Sequence, residues 1–96
     1  MKIDLGKFGT TLTSRQLGKE ALAAFRPTLQ SVVDGEIVEV DFSGVITFTP
    51  SWGDEFLTPL FREFPNRLIL VNTKNSSVQA TLELLEDVNQ IQFKIV

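Results

Sequence analysis

The residues whose types and spacing could carry chemistry lie in the segment TFTPSWGDEFL, residues 47–57. Two hydroxyl side chains, Thr49 and Ser51, stand shortly before two carboxylates, Asp54 and Glu55. Either hydroxyl could accept a phosphoryl group, so phosphorylation of Ser51 or Thr49 is one hypothesis. The same side chains also suit the start of a helix, where a hydroxyl caps the first turn and acids complement the helix dipole.

A second hypothesis uses the acids as a cluster. Asp41, Asp54 and Glu55 could hold a divalent cation together with Thr49, since oxygen ligands suit such ions. In that case the protein would be a small enzyme or a metal- or nucleotide-binding subunit. This alternative predicts a deep pocket lined by Asp41, Asp54 and Glu55.

The residue types that are missing limit the chemistry further. The chain has no histidine, no cysteine and no tyrosine. A Ser-His triad, a cysteine nucleophile and a zinc site of the usual ligands are therefore excluded within this chain. We expect a protein that is not an enzyme, that has no catalytic residue and that uses no cofactor or metal.

Two other side chains near this segment could serve recognition. Trp52 can pack beneath the loop that precedes the helix, or it can be an exposed aromatic anchor for a partner. Arg15 can pair with Glu20, Asp54 or Glu55, or it can offer its guanidinium to a partner's carboxylate or phosphate. For Arg15 we favour the local pairing.

Composition argues against two classes of partner. Nine basic residues are scattered among twelve acidic ones, with a net charge of -3. Nucleic acid is not expected, because binding to phosphates needs a clustered basic surface. No apolar run approaches the length of a membrane span and no signal-peptide pattern is present, so we expect a cytoplasmic protein without membrane contact.

The pattern of elements predicts an α/β fold. A chain of 96 residues is expected to form one domain, residues 1–96. Strands alternate with helices, which favours a mainly parallel four-stranded sheet with right-handed crossovers. Two strands alternate apolar with polar residues, so we expect the helices mainly on one face. The predicted strands are KIDL, EIVEVDF, RLILV and QIQFKIV.

Start and stop signals delimit the helices. Capping boxes at Thr13–Gln16 and Ser76–Gln79 predict the starts of the first and third helices. In the first helix, Pro27 predicts a kink or break near Phe25, and Asp34–Gly35 predicts its end. The predicted buried stripe of that helix is Leu17, Ala21, Ala24, Phe25, Leu29 and Val32.

The last strand should lie at an edge of the sheet, with Ile91, Phe93 and Ile95 on its buried face. Pairing of this edge with a second copy would give a homodimer.

The second helix has two candidate starts. Thr49 could be the N-cap with Pro50 at the first helical position, which proline favours. Alternatively, Ser51 could be the N-cap with Asp54 three residues later. In both cases we expect backbone amides to occupy the hydroxyl. Asp54 and Glu55 should then fill the first turn with negative charge, which disfavours an anion there.

These segments resemble a known fold family. Residues 40–61, VDFSGVITFTPSWGDEFLTPLF, resemble the centre of STAS domains, the fold of bacterial anti-sigma factor antagonists. Asp41–Val45 matches the end of the family's strand. Pro50, however, stands where those proteins carry their phosphorylated serine, and a proline cannot accept a phosphoryl group.

The chain is more similar to a STAS-like family classed as a domain of unknown function. The similarity rests on Thr10–Arg15, on Asp41–Val45 and on Ser51–Phe56. That family often accompanies histidine-kinase-like ATPases, which implies a regulatory protein partner. We therefore predict a non-catalytic interaction domain that docks a protein through the start of the second helix. The predicted partner-binding residues are Arg15, Thr49, Ser51, Trp52, Asp54 and Glu55.

Overall fold

The computed structural model describes all 96 residues and alternates strands with helices. Three α-helices are present: α1 (Arg15–Leu29), α2 (Pro50–Glu63) and α3 (Ser76–Asn89). A single turn of 3-10 helix, Leu5–Phe8, follows the first strand. The strands are β1 (Lys2–Asp4), β2 (Thr11–Leu12), β3 (Val38–Asp41), β4 (Thr47–Phe48), β5 (Leu68–Val71) and β6 (Lys94–Ile95). None of the helices has the length and apolar character that crossing a membrane would require.

The main sheet has the order β1-β3-β5-β6, and each neighbouring pair is parallel. Ile3, Val40 and Leu70 lie in register and are at most 1% exposed. The alternate row on the other face is only half-buried or exposed, so the helices cover one face. The predicted four-stranded parallel sheet is confirmed. The uncovered row consists of Lys2, Glu39, Ile69 and Lys94.

A second small sheet, absent from the sequence prediction, pairs β2 with β4 in parallel. The Ile46 amide donates to the Thr10 carbonyl, and the Thr49 amide donates to the Leu12 carbonyl. Because β2 leads into α1 and β4 leads into α2, this pairing places the two helix starts side by side. Strands of two residues are too short to give a periodic sequence signal.

The first helix differs from its prediction in several ways. Its N-cap is Ser14, whose hydroxyl accepts from the Leu17 amide, rather than Thr13. The helix runs unbroken through Pro27 and ends at Leu29, well before the turn at Gly35. The predicted break is wrong, because proline so close to the C-terminal end removes little of the hydrogen-bond ladder. The fully buried residues are Gly18, Leu22 and Leu29, whereas Leu17 is 57% exposed.

The other predicted elements need smaller corrections. The cap of α3 is Asn75, which accepts from the Val78 amide, rather than Ser76. The last strand lies at the sheet edge as predicted but is short. Phe93 is buried just before it, while Ile95 is 52% exposed.

The core between the sheet and the helices is rich in aromatic rings. Trp52 stacks on Phe56 at 4.8 Å between centroids and meets the edge of Phe48 at 6.0 Å. Gly18 of α1 faces this cluster so closely that a Cβ there would lie 2.7 Å from the Trp52 carbonyl oxygen. The absence of a side chain at Gly18 therefore sets the distance between α1 and α2.

Replacing Gly18 by alanine tests this packing. In an exposed helix the change would stabilise the protein by about 0.5–1 kcal/mol. Here we expect a loss of about 2 kcal/mol, because the added methyl meets backbone that cannot shift easily. Urea unfolding measures it, with Lys19→Ala on the exposed side of α1 as the matched control. A Gly18→Ala protein at least as stable as wild type would contradict the account.

Candidate functional site

The start of α2 follows the first of its two predicted registers. Thr49 is the N-cap and Pro50 occupies the first turn. The Thr49 hydroxyl, however, accepts no helix amide. It donates to the Thr13 carbonyl at 2.9 Å and lies 3.4 Å from the Leu12 carbonyl. The expected side-chain cap is wrong, because the β2–β4 pairing brings those two carbonyls next to Thr49.

The N-terminal end of α2 is therefore not filled as expected. Its first turn contains no acidic side chain, since Asp54 and Glu55 lie further along the helix. The backbone amides of Ser51 and Trp52 donate to no group in the chain, and the Ser51 hydroxyl makes no hydrogen bond. Ser51 is half-buried. We expected a hydroxyl side chain and the carboxylates of Asp54 and Glu55 to occupy the N-terminal end of α2, and this prediction is wrong.

Arg15 makes the local pairing that the sequence analysis favoured. Its Nη1 atom lies 2.9 Å from Oε1 of Glu55 and 3.3 Å from Oδ2 of Asp54. Hydrogen bonds to Glu55 and Asp54 raise the pKa of the Arg15 guanidinium above its ordinary value. The side chain of Arg15 is 55% exposed, that of Glu55 is 30% exposed and that of Asp54 is 38% exposed. The three therefore form a cluster on the surface, called here the Arg15 cluster. Exposed pairs of this kind contribute little to stability.

Trp52 takes the packing role rather than that of an exposed anchor. It is 2% exposed and stacked on Phe56 one helical turn later. The reason is the start of α2 at Pro50, which turns Trp52 and Phe56 to the same inward face of the helix. Trp52 therefore supports the surface of the Arg15 cluster from beneath without forming part of it.

Asp41 lies in a different environment from Asp54 and Glu55. One carboxylate oxygen accepts from the Ser43 amide and from the Asn72 side chain, each at 2.9 Å. The other oxygen is 3.3 Å from the Lys2 ammonium. Asp41 thus joins β1, the end of β3 and the chain after β5. Hydrogen bonds from Asn72 and Ser43 hold the pKa of Asp41 well below its usual range.

The predicted acidic metal or enzyme site is therefore not assembled. No group of three or more acidic, histidine or cysteine side chains is placed to hold a metal ion. The deep pocket expected beside Asp41, Asp54 and Glu55 is also missing.

The structure does contain one cleft, between α3, β6 and the loop after β5, and the sequence analysis did not predict it. The sequence feature that could have indicated this cleft is the pair of acids Glu83 and Glu86, which lie one helical turn apart. Its lining residues are Thr73, Gln79, Leu82, Glu83, Glu86 and Ile95.

The role assigned to Asp41 predicts a pH-dependent loss of stability in Asp41→Asn. Because folding lowers the pKa of Asp41 from 3.8, its stabilisation is present above that pH and is lost as the pH falls. We expect Asp41→Asn to lower the free energy of unfolding by about 2 kcal/mol at neutral pH. The difference from wild type should shrink towards about pH 3.

Urea titrations across this pH range measure the effect. Asp4→Asn is the matched control, because Asp4 of β1 pairs in register with Asp41 of β3. Its free energy of unfolding should equal that of wild type at each pH. A constant difference at all pH values would contradict the role of the Asp41 carboxylate.

Comparison with known proteins identifies the family. The family described as STAS-like domain of unknown function (DUF4325) matches residues 23–78. The match includes Asp41–Val45 and Ser51–Phe56, two of the three blocks on which the sequence resemblance rests. Comparison with curated proteins and with solved structures gave no match. Since residues 23–78 make up more than half of the 96 residues, this chain belongs to the family of STAS-like domains of unknown function.

Proposed function

We propose that this protein is a non-catalytic, cytoplasmic regulatory domain that docks a protein partner where α1 and α2 begin. The observation that carries the proposal is the Arg15 cluster, in which one guanidinium sits between Asp54 and Glu55 on the surface. The unbonded hydroxyl of Ser51 lies one helical turn before Glu55. A partner can therefore meet charges of both signs and a free hydrogen-bonding group in one place.

The form of this surface supports a macromolecule rather than a small substrate. The cleft of the structure lies against α3, so nothing at the α2 start encloses a small molecule. Small-molecule sites are usually concave, whereas protein interfaces use larger and flatter surfaces with a polar rim. The absence of histidine, cysteine and tyrosine further supports a binding role without catalysis.

The Arg15 cluster is also well suited to selecting a partner. Its charges are held in place by the packing of α1 on α2, so little side-chain entropy is lost on docking. Arg15 and the two carboxylates already partly neutralise one another. A partner whose charges do not match this pattern would have to break these ion pairs in order to bind. A histidine-kinase-like ATPase is the partner class that the family association favours, and its nucleotide state would then control docking.

Substitutions on the surface test the docking site. Glu55→Lys reverses one charge of the Arg15 cluster, and Ser51→Asp adds a charge beside it. Both proteins should recover at least tenfold less partner than wild type in affinity capture from the native cell extract, measured by quantitative mass spectrometry.

Asp34→Lys is the matched control, since it makes the same charge change in the exposed turn after α1. It should recover the wild-type partner set. If all four proteins recover the same partners in equal amounts, the docking surface lies elsewhere.

Phosphorylation belongs to the same proposal, and the geometry favours Ser51 as the acceptor. The Thr49 hydroxyl is held by the Thr13 carbonyl, whereas the Ser51 hydroxyl has no partner in the chain. Incubation with the cognate kinase should add the mass of one phosphoryl group to wild type and to Thr49→Val. It should add none to Ser51→Ala. An unshifted wild-type mass, or a gain retained in Ser51→Ala, would contradict this assignment.

A further inference from the structure

A cleft of about 270 Å³ separates α3 from β6 and from the loop that follows β5. It is remote in sequence from the Arg15 cluster. Its volume is below the ~300 Å³ at which ligand pockets usually begin, so its size suits a single inserted side chain rather than a cofactor.

Thr73 in the wall of the cleft offers a hydroxyl group that a ligand could bind. The residue is 8% exposed, it lines the cleft, and its hydroxyl makes no hydrogen bond within the chain. The Thr73 oxygen itself is accessible, because the one buried side-chain oxygen without a hydrogen bond is Oγ1 of Thr58. A ligand in the cleft can therefore reach the Thr73 hydroxyl.

The charge of the cleft is negative and uncompensated. Glu83 and Glu86 both line it, and neither forms an ion pair with a basic side chain. One carboxylate oxygen of Glu86 accepts the Phe93 amide at 2.8 Å, which leaves its second oxygen unbonded. The side-chain amide of Gln79, which also lines the cleft, makes no hydrogen bond within the chain. These acceptors suit a cationic group with several N–H donors, and a guanidinium provides five.

The strand beside the cleft offers a way to bring such a group in. β6 pairs with β5 on one side only, so its other edge is free. Ile95 of β6 lines the cleft and is 52% exposed. Side chains alternate along a strand, so a segment added alongside β6 would project every second side chain onto the face of Ile95. Peptides recognised by strand addition gain affinity from the main chain and specificity from such pockets.

We propose that this cleft and the free edge of β6 together form a second binding site for an extended basic segment of a protein. The segment pairs with β6 and places one arginine side chain in the cleft. Its guanidinium donates to Glu83, Glu86 and the Thr73 hydroxyl, while its aliphatic stem packs on Leu82 and Ile95. The site is separate from the surface at the start of α2 and does not depend on the function proposed for it.

An NMR titration of the isotope-labelled full chain tests the proposal. The probe is the peptide acetyl-Thr-Val-Arg-Val-Thr-amide, and the matched peptide carries glutamine in place of arginine. The arginine peptide should shift the amide signals of Thr73, Gln79, Glu83 and the strand around Ile95. The glutamine peptide should bind about tenfold more weakly, because charge-assisted hydrogen bonds are lost.

Variants locate the site within the protein. Glu83→Gln should weaken the arginine peptide about tenfold and Thr73→Val about fivefold, each with an otherwise native spectrum. Asp87→Asn, an exposed acid on the same helix that does not line the cleft, should bind like wild type. Equal binding of both peptides, equal weakening by Asp87→Asn, or no shifts at the cleft would overturn the proposal. So would a solution dimer whose β6 edge is protected by a second copy.

Discussion

The close approach of α1 to α2, at the point where Gly18 faces Trp52, is the constraint on which the candidate site depends. A side chain at Gly18 would meet the Trp52 backbone, so only glycine allows the helices to pack at this distance. The parallel β2–β4 pair holds the two helix starts at the same level. As a result Arg15, in the first turn of α1, reaches both Asp54 and Glu55 of α2.

This arrangement separates the buried contacts that stabilise the fold from the surface charges of the proposed docking site. The aromatic cluster of Trp52, Phe56 and Phe48 buries large apolar surfaces, and this burial stabilises the fold. The Arg15 cluster lies in solvent above it and contributes little to that energy. Asp41 has a further role, since its buried carboxylate links β1, the end of β3 and the chain after β5. Surface charges that stability does not require remain available for binding a partner.

The sequence predicted the parts of the fold that have strong local signals. The strands around Val40 and Leu70 follow from their apolar patterns. The start of α2 at Pro50 was one of two predicted starts, and the fixed dihedral angle of proline suits it. The caps at Thr13 and Ser76 were each displaced by one residue. Their neighbours Ser14 and Asn75 have equal capping chemistry, so tertiary contacts decide between them.

The candidate site was harder to predict because it depends on contacts between elements. The local pairing of Arg15 was predicted from charge, with Asp54 and Glu55 named as alternatives beside Glu20. The burial of Trp52, the redirected hydroxyl of Thr49 and the separation of Asp41 from the other acids depend on how α1 and the β2–β4 pair pack. No local pattern encodes that packing, and the β2–β4 pair itself is too short to be read from the sequence.

Fluorescence of Trp52 is the most direct measurement of the central claim. The chain has one tryptophan and no tyrosine, so its intrinsic emission reports on this residue. Trp52 held against Gly18 should give blue-shifted emission and strong protection from acrylamide in the native protein. That protection should be lost only at the global unfolding transition. Quenching of the native protein as efficient as that of the unfolded chain would contradict the account.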